Sequence, residues 1–166
     1  MNNFNAFIQV RMSSSRFPKK VLQELSGVSM IEFMYDRVQK SELIDQAIFV
    51  TSTDLSDDEI VELCKKKNIP YFRGDLQDVL DRFYQASLKY PSRNIVRLTG
   101  DCPLIDPKLI DEVLSLHEND NNDYTSNINP PTYPDGFDTE VMTSESLKKM
   151  WEVAKTPNDR EHVTYY

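Results

Sequence analysis

Ile8-Gln-Val-Arg-Met-Ser-Ser-Ser-Arg-Phe-Pro-Lys-Lys-Val-Leu22 is the stretch on which the fold turns. It continues an apolar run, Phe4, Ala6, Phe7, Ile8 and Val10, which reads as a strand over Asn5–Val10. The run gives way at Arg11 to a loop bearing Arg11, Arg16, Lys19 and Lys20 and the hydroxyls of Ser13, Ser14 and Ser15. Arg presents a rigid fork of donors and Lys a point charge. Hydroxyls and backbone N–H groups fill the remaining directions, so the set suits a polyphosphate. A solvated basic surface is the commoner fate of a charge run read alone. Placement argues for the site, because in open α/β sheets ligands bind beyond the carboxyl ends of the strands.

Working outward, strand and helix patterns alternate. Met30–Lys40 carries Met30, Ile31, Met34 and Val38 at helical spacing, and Ala47–Thr51 is rich in β-formers. Ser56-Asp-Asp-Glu59 has the form of a capping box, with Ser56 as the cap of a helix running to about Lys67. Pro70–Phe72 reads as a short strand, Asp75–Lys89 as a helix, Asn94–Leu98 as a strand and Pro107–His117 as a helix with Pro in its first turn. Strands alternating with helices of this length predict βαβ units and a mostly parallel sheet. Glu118–Gly136 is long and rich in turn residues, either an excursion or a functional loop. The segment Asn158–Tyr166 reads as a charged helix.

The chain has 166 residues, 39% hydrophobic and 28% charged, enough for one globular domain with its own core. A net charge of −8 argues against a nucleic-acid binder and sets the basic loop against an acidic background. No apolar run is long enough for a membrane span and no signal peptide is visible, so a cytoplasmic location is expected. Cys64 falls in a helical pattern and reads as core, and Cys102 falls in a loop. Neither belongs to a Cys-x-x-Cys or Cys/His set, which argues against structural zinc.

Four further segments could carry chemistry. In Val96-Arg-Leu-Thr-Gly-Asp-Cys-Pro-Leu-Ile-Asp-Pro107, a strand ends near Leu98 and Gly100 permits a tight turn. Asp101 is then left at the strand's carboxyl end, on the same side of the sheet as the basic loop. Beside a triphosphate such an Asp suits Mg²⁺, which takes one or two carboxylates plus phosphate oxygens and water. A turn-stabilising Asx motif fits it equally. In Arg73-Gly-Asp75 and Asp78-Val-Leu-Asp-Arg82, Asp75 can cap a helix from Leu76, and Arg82 can pair with Asp78 at i, i+4. Asp135-Gly-Phe-Asp-Thr-Glu140 is either a metal- or hydroxyl-binding edge or an acidic turn. Asp159-Arg-Glu-His162 is either an anion site or a surface helix. The chain has no supported Ser/His/Asp triad and no Gly-x-Gly-x-x-Gly or Gly-x-x-x-x-Gly-Lys.

Taken together the segments resemble the cytidylyltransferase family that includes the sugar-acid activating enzymes, the 3-deoxy-manno-octulosonate and acylneuraminate cytidylyltransferases. The branch they look most like is the spore-coat polysaccharide biosynthesis type. The residues carrying the likeness are Gln9, Arg11, Met12, Ser14, Arg16, Pro18, Lys20, Val21 and Leu22, then Arg73-Gly74 with Asp78–Arg82. Arg97–Asp106, Tyr133–Glu140 and Arg160-Glu-His-Val-Thr164 follow in the family's order. The resemblance implies a three-layer α/β/α, Rossmann-like, GT-A-like fold of the nucleotide-diphospho-sugar transferases, as a single nucleotidyltransferase domain over 1–166.

The same resemblance implies roles. Arg11, Arg16, Lys20 and Asp101 would be catalytic. Gln9, Ser13, Ser14, Arg73, Asp78, Arg82, Thr99 and Gly100 would join Arg11, Arg16 and Lys20 in holding the nucleotide. Asp101 would bind Mg²⁺. Tyr133, Asp135, Asp138, Glu140, Arg160 and His162 would face the acceptor. The implied reaction joins CTP to an acidic sugar or sugar phosphate and releases pyrophosphate, and a homodimer is the implied assembly. Two positions depart from the family's first loop, where Ser13 and Lys19 stand in place of glycine. The chain also stops earlier than typical members, which commonly draw a second metal-binding acid and dimer contacts from the part beyond. Three alternatives stay open: another nucleotide or a polyol phosphate, a nucleotide-sugar glycosyltransferase, and a non-catalytic nucleotide-binding module. The glycosyltransferase usually needs Asp-x-Asp where this chain has a single Asp101.

Overall fold

The computed structural model describes residues 2–13, 17 and 19–164. In chain order the strands are β1 (Asn2–Gln9), β2 (Glu24–Leu25), β3 (Val28–Ser29), β4 (Gln46–Ser52), β5 (Tyr71–Gly74), β6 (Ser92–Thr99), β7 (Tyr124–Ser126) and β8 (Glu140–Thr143). The helices are α1 (Met30–Val38), α2 (Asp58–Lys67), α3 (Val79–Lys89), α4 (Pro107–Asn119), α5 (Ser144–Val153) and α6 (Pro157–His162). Six strands form one sheet in the order β5-β4-β1-β6-β8-β7, and β2 and β3 form a small antiparallel hairpin. β5, β4, β1 and β6 run parallel, whereas β8 lies antiparallel to β6 and β7 antiparallel to β8.

Apolar side chains fill both faces of the sheet. Ala6, Ile8, Phe49, Val96 and Leu98 pack with Met34, Ile60 and Leu114 on the side of α1, α2 and α4. Phe7, Ile48, Val50, Ile95 and Met142 pack with Leu80, Phe83 and Leu147 on the side of α3 and α5, where Val163 after α6 closes the layer. Burial on both faces explains why the parallel strands read as nearly continuous apolar runs. This is the expected three-layer α/β/α arrangement with a mostly parallel sheet. Among the described residues no helix is long and apolar enough to cross a membrane.

Local chemistry sets the helix starts, and two differ from expectation. Ser56 does not cap α2. It sits in a short 3₁₀ turn, Leu55–Asp57, whose N-cap is Asp54, accepting from the Ser56 N–H and hydroxyl at 2.9 and 2.6 Å. The Asp54 carboxylate two residues earlier engages the Ser56 hydroxyl as a donor and draws Ser56 into the 3₁₀ turn, and α2 begins at Asp58. Nor does the third helix begin after Asp75. Asp75 accepts from the N–H groups of Gln77 and Asp78 at 2.7 and 2.9 Å, closing an Asx-type turn. Asp78 caps α3 instead, accepting from Asp81 N–H at 2.9 Å. The chain after Asn119 is more ordered than its turn-rich composition suggests. It carries β7, and β8 and α5 follow, with Thr143 capping α5 through Ser146 N–H at 3.1 Å.

Candidate active site

The parallel strands deliver their carboxyl ends to one edge. β1 ends at Gln9 opposite Thr99 of β6, and Gly100 N–H donates to Gln9 O at 2.9 Å. Gly100 is required here by close approach. A Cβ at this position would lie 2.4 Å from Val10 Cγ1 and 2.9 Å from Gln9 O. With Gly100 tucked against β1, Asp101 emerges at the rim beside the loop that follows β1.

That loop is pinned at its start. Val10 N–H donates to Val50 O at 3.1 Å, the last ladder bond, and Met12 N–H donates to Asp57 Oδ1 at 2.7 Å. Lys19 N–H returns to Met12 O at 3.3 Å, closing the loop on the same residue. Lys19 has φ 58°, the left-handed region in which glycine is the usual occupant, and its ammonium meets Glu59 at 2.5 Å. Arg11 and Ser13 are exposed. Ser14 and Arg16 lie outside the described residues.

Lys20 Nζ reaches across to Asp101 Oδ2 at 2.9 Å, with the two side chains 31% and 50% exposed. Burial alone would raise the Asp101 carboxyl. The Lys20 ammonium, with help from the Thr99 hydroxyl, outweighs it, and the carboxyl sits below its ordinary value. Asp101 is therefore ionised throughout the neutral range. Cys102 is buried behind it, with Sγ 3.4 Å from Thr99 Oγ1. Burial raises the Cys102 thiol, and Asp101, Asp138 and Asp135 add to the rise.

The acidic segment before β8 approaches the same rim. Asp138 is raised first by burial and then by Asp135, Glu140 and Asp101, which places these carboxylates in one field. Asp135 is exposed. Glu140 is 4% exposed, ion-paired with Arg97 and accepting from the Tyr124 hydroxyl at 3.0 Å. Arg97 Nη2 also donates to Gln9 Oε1 at 3.3 Å. Gln9 and Glu140, expected to face ligands, are thus tied into one strut between β1, β6 and β8. Tyr133 is 39% exposed and donates to Glu112 Oε2 at 3.0 Å.

The segment around β5 and α3 is bound more tightly to the fold than to the rim. Arg73 donates to the carbonyls of Ser52 and Asp54 at 2.7 and 3.0 Å and pairs with Asp58 at 2.8 Å. Arg82 does not pair with Asp78. It is fully buried, stacked over Gly74, and donates to Asp75 O at 2.9 Å, while its Nε and Nη2 have no hydrogen-bond partner among the described residues. Burial pushes its guanidinium down to about 10, with Asp57 the largest charge opposing that fall and Arg11 adding to it. Asp78 instead pairs with Arg160 at 2.6 Å, so α6 is latched onto the start of α3. His162 is exposed at the end of α6.

A divalent cation fits this edge only in company with its substrate. Among the described residues no group of three or more His, Cys, Asp or Glu side chains is placed to hold a metal ion. One ionised, half-exposed aspartate beside a cationic loop matches Mg²⁺ that arrives on phosphate oxygens. Asp57 and Arg97 are the residues that sequence reasoning passed over. The acidic run Ser56–Glu59 offered Asp57 as one of three carboxylates, with no local signal for which one turns inward.

Comparison with known proteins places the chain in a family. The profile of the family described as Cytidylyltransferase matches residues 6–166. The uncharacterised protein MJ1063 of Methanocaldococcus jannaschii is 42% identical over 96% of the chain, which spans 64% of that protein's length. The spore coat polysaccharide biosynthesis protein SpsF of Bacillus subtilis is 33% identical over the whole chain, which spans 70% of its length. A cytidylyltransferase structure from Leptospira borgpetersenii superposes over the whole chain and 71% of its own, with TM-score 0.94 and 32% identity. The rim on which Lys20 meets Asp101 is thus the edge of a known architecture, and the chain belongs to the cytidylyltransferase family.

Proposed function

We propose that the chain transfers CMP from CTP to an acidic sugar or sugar phosphate, releasing pyrophosphate, in cell-surface or spore-coat polysaccharide biosynthesis. The observation that carries this reading is the Lys20–Asp101 pair, 2.9 Å across the joined carboxyl ends of β1 and β6. A cation from the first loop and an ionised carboxylate from the central strand meet where a triphosphate would lie. In this reaction an acceptor oxygen attacks the α-phosphorus, forming an O–P bond as the bond to pyrophosphate breaks. Such chemistry depends on alignment and charge neutralisation rather than on a protein nucleophile.

Arg11, Ser13 and Lys20 bind the triphosphate and neutralise the leaving pyrophosphate, with Ser14 and Arg16 assigned to the same task from sequence. Thr99 and Gly100 shape the floor, and Arg73, Asp78 and Arg82 wall the nucleotide side from within the fold. Asp135 and Asp138, with Tyr133 and His162, form the acceptor side, while Arg160 is engaged with Asp78 and holds α6 to α3. Asp101 would hold Mg²⁺, which when bound supplies charge neutralisation at the phosphates.

The test is calorimetric titration with CTP, ATP, GTP and UTP, each with and without Mg²⁺, followed by pyrophosphate release across acidic sugars. Mg²⁺-dependent preference for CTP, lost in Lys20→Ala, supports the reading. Preference for another nucleotide moves the assignment to a different nucleotidyltransferase. Binding with no pyrophosphate release from any acceptor favours a non-catalytic nucleotide-binding module.

A further inference from the structure

Asp57 is a carboxylate with no exposure to solvent, and the reaction as proposed gives it no part. Burying a charge is costly unless it is paired and fully hydrogen-bonded. Here Oδ2 accepts from Thr51 Oγ1, Ser52 N–H and Ser52 Oγ at 2.9, 3.0 and 2.5 Å, and Oδ1 accepts from Met12 N–H at 2.7 Å. Three of these donors lie at the end of β4, five or six residues away in sequence. The fourth lies 45 residues away, at the residue on which the first loop closes.

Geometry separates the two oxygens by task. Oδ2 anchors the carboxylate to the sheet, and Oδ1 holds the loop. Met12 is the pivot: its N–H goes to Asp57, its carbonyl accepts Lys19 N–H, and its side chain is buried. Arg11 and Ser13 flank that pivot, and Lys20 follows the closing bond toward Asp101. Glu59, two residues on, holds Lys19 from the same direction. The field of Asp57 also reaches the buried Arg82 guanidinium, so the carboxylate has a counter-charge.

We propose that Asp57 is a positioning residue for nucleotidyl transfer: through the Met12 N–H it fixes the triphosphate loop and thereby the aim of Arg11, Ser13 and Lys20. This rests on the triphosphate reading of the loop given above.

The test compares Asp57→Ala with the double variant Thr51→Val, Ser52→Ala, in the full chain. The double variant removes the two hydroxyl donors to the same carboxylate but leaves its bond to Met12. Native-state hydrogen exchange reads the loop directly, and steady-state turnover reads its consequence. Asp57→Ala is expected to speed exchange at Met12 and Lys19 by about tenfold or more through local opening. It is expected to lower kcat by about tenfold to hundredfold, with a much smaller change in KM for CTP, because alignment and not charge is lost. The double variant is expected to be less stable, with exchange at Met12 and kcat near wild type.

Unchanged exchange at Met12 overturns the proposal. So does wild-type kcat in Asp57→Ala, or an equal loss of kcat in the double variant, which would mark a purely structural role. If Asp57→Ala does not fold, Asp57→Leu, which keeps about the same volume and has no acceptor for the Met12 N–H, is read by the same criteria. A wild-type chain that turns over no nucleotide would refute the proposed function instead, and exchange at Met12 would then decide by itself whether Asp57 holds the loop.

Discussion

Gly100→Ala puts a methyl group just past β6, against the carboxyl end of β1. The added carbon would sit 2.4 Å from Val10 Cγ1 and 2.9 Å from Gln9 O. Carbon atoms pack best at about 3.5–4.0 Å, so the site must open by about 1 Å. Val10 is 1% exposed and β-branched, with little rotamer freedom to yield. Gln9 O is backbone and already accepts Gly100 N–H at 2.9 Å, so separating it from Gly100 weakens that bond as well. Overpacking of this kind costs about 1–3 kcal/mol, and a lost backbone hydrogen bond about 1 kcal/mol more. The expected destabilisation is about 3 kcal/mol, lowering Tm by about 6–12 °C for a chain of this size. Calorimetry with matched urea unfolding measures it. Adding Val10→Ala removes one of the two clashing atoms, so the cost of Gly100→Ala in that background should fall by about 1 kcal/mol. A Tm within about 2 °C of wild type, or strictly additive behaviour, would refute the claim that close approach dictates glycine here.

Glu140→Gln leaves Arg97 at 13% exposure with no carboxylate partner, and should cost about 2–3 kcal/mol by denaturant midpoint with an unchanged m-value. Lys20→Ala removes the charge that holds Asp101 down while leaving its burial, so the Asp101 carboxyl should titrate higher by NMR. The same variant should lower kcat by about a hundredfold or more, as losing a charge-stabilising donor does elsewhere. His117 is buried, with its nitrogens 3.1 Å from Thr125 Oγ1 and 3.3 Å from Asn94 Oδ1. Burial and then Arg93 lower it, against Asp123 and Glu118. Its neutral form is favoured in the fold. Its contribution to stability is therefore present above about pH 6.5, the unfolded value, and is lost as pH falls through the lower folded value. Tm should decline across that acid window in wild type and decline less steeply in His117→Gln.

What the sequence disclosed and what it hid follow one physical line. β1, β4 and β6 are buried on both faces, so their residues are apolar in nearly unbroken runs and announce themselves. β7 is three residues long, with an exposed Tyr124, and sits at the sheet's edge. A strand that short leaves no period to read. The starts of α1 at Met30 and α4 at Pro107 were legible in position, those of α2 and α3 only in type. Asp54 and Ser56 both have cap-forming side chains before α2, and only the folded geometry decides that the carboxylate forms the cap. The rim was legible through Asp101 and the loop cations, because charge at a strand end is visible in one dimension. Which charges turn inward was not. Arg82, Glu140 and Asp57 look like surface residues in the sequence and are among the most buried polar groups in the chain.

Lys19 shows how the fold accommodates a residue that local rules disfavour. Its φ of 58° suits glycine, and a side chain there costs about 1–2 kcal/mol. Two contacts offset that cost, the Lys19 N–H to Met12 O at 3.3 Å and the ammonium to Glu59 at 2.5 Å. The ion pair is more than half exposed on both sides and contributes little to stability by itself. It does fix where the cation points, which is away from Asp101 and toward α2. Lys20 is then the cation directed at Asp101, while Lys19, at a position where the family resemblance leads one to expect glycine, serves the loop's attachment. The departure from the family pattern at Lys19 is thus absorbed on the far side of the loop, and the side facing Asp101 keeps its lysine.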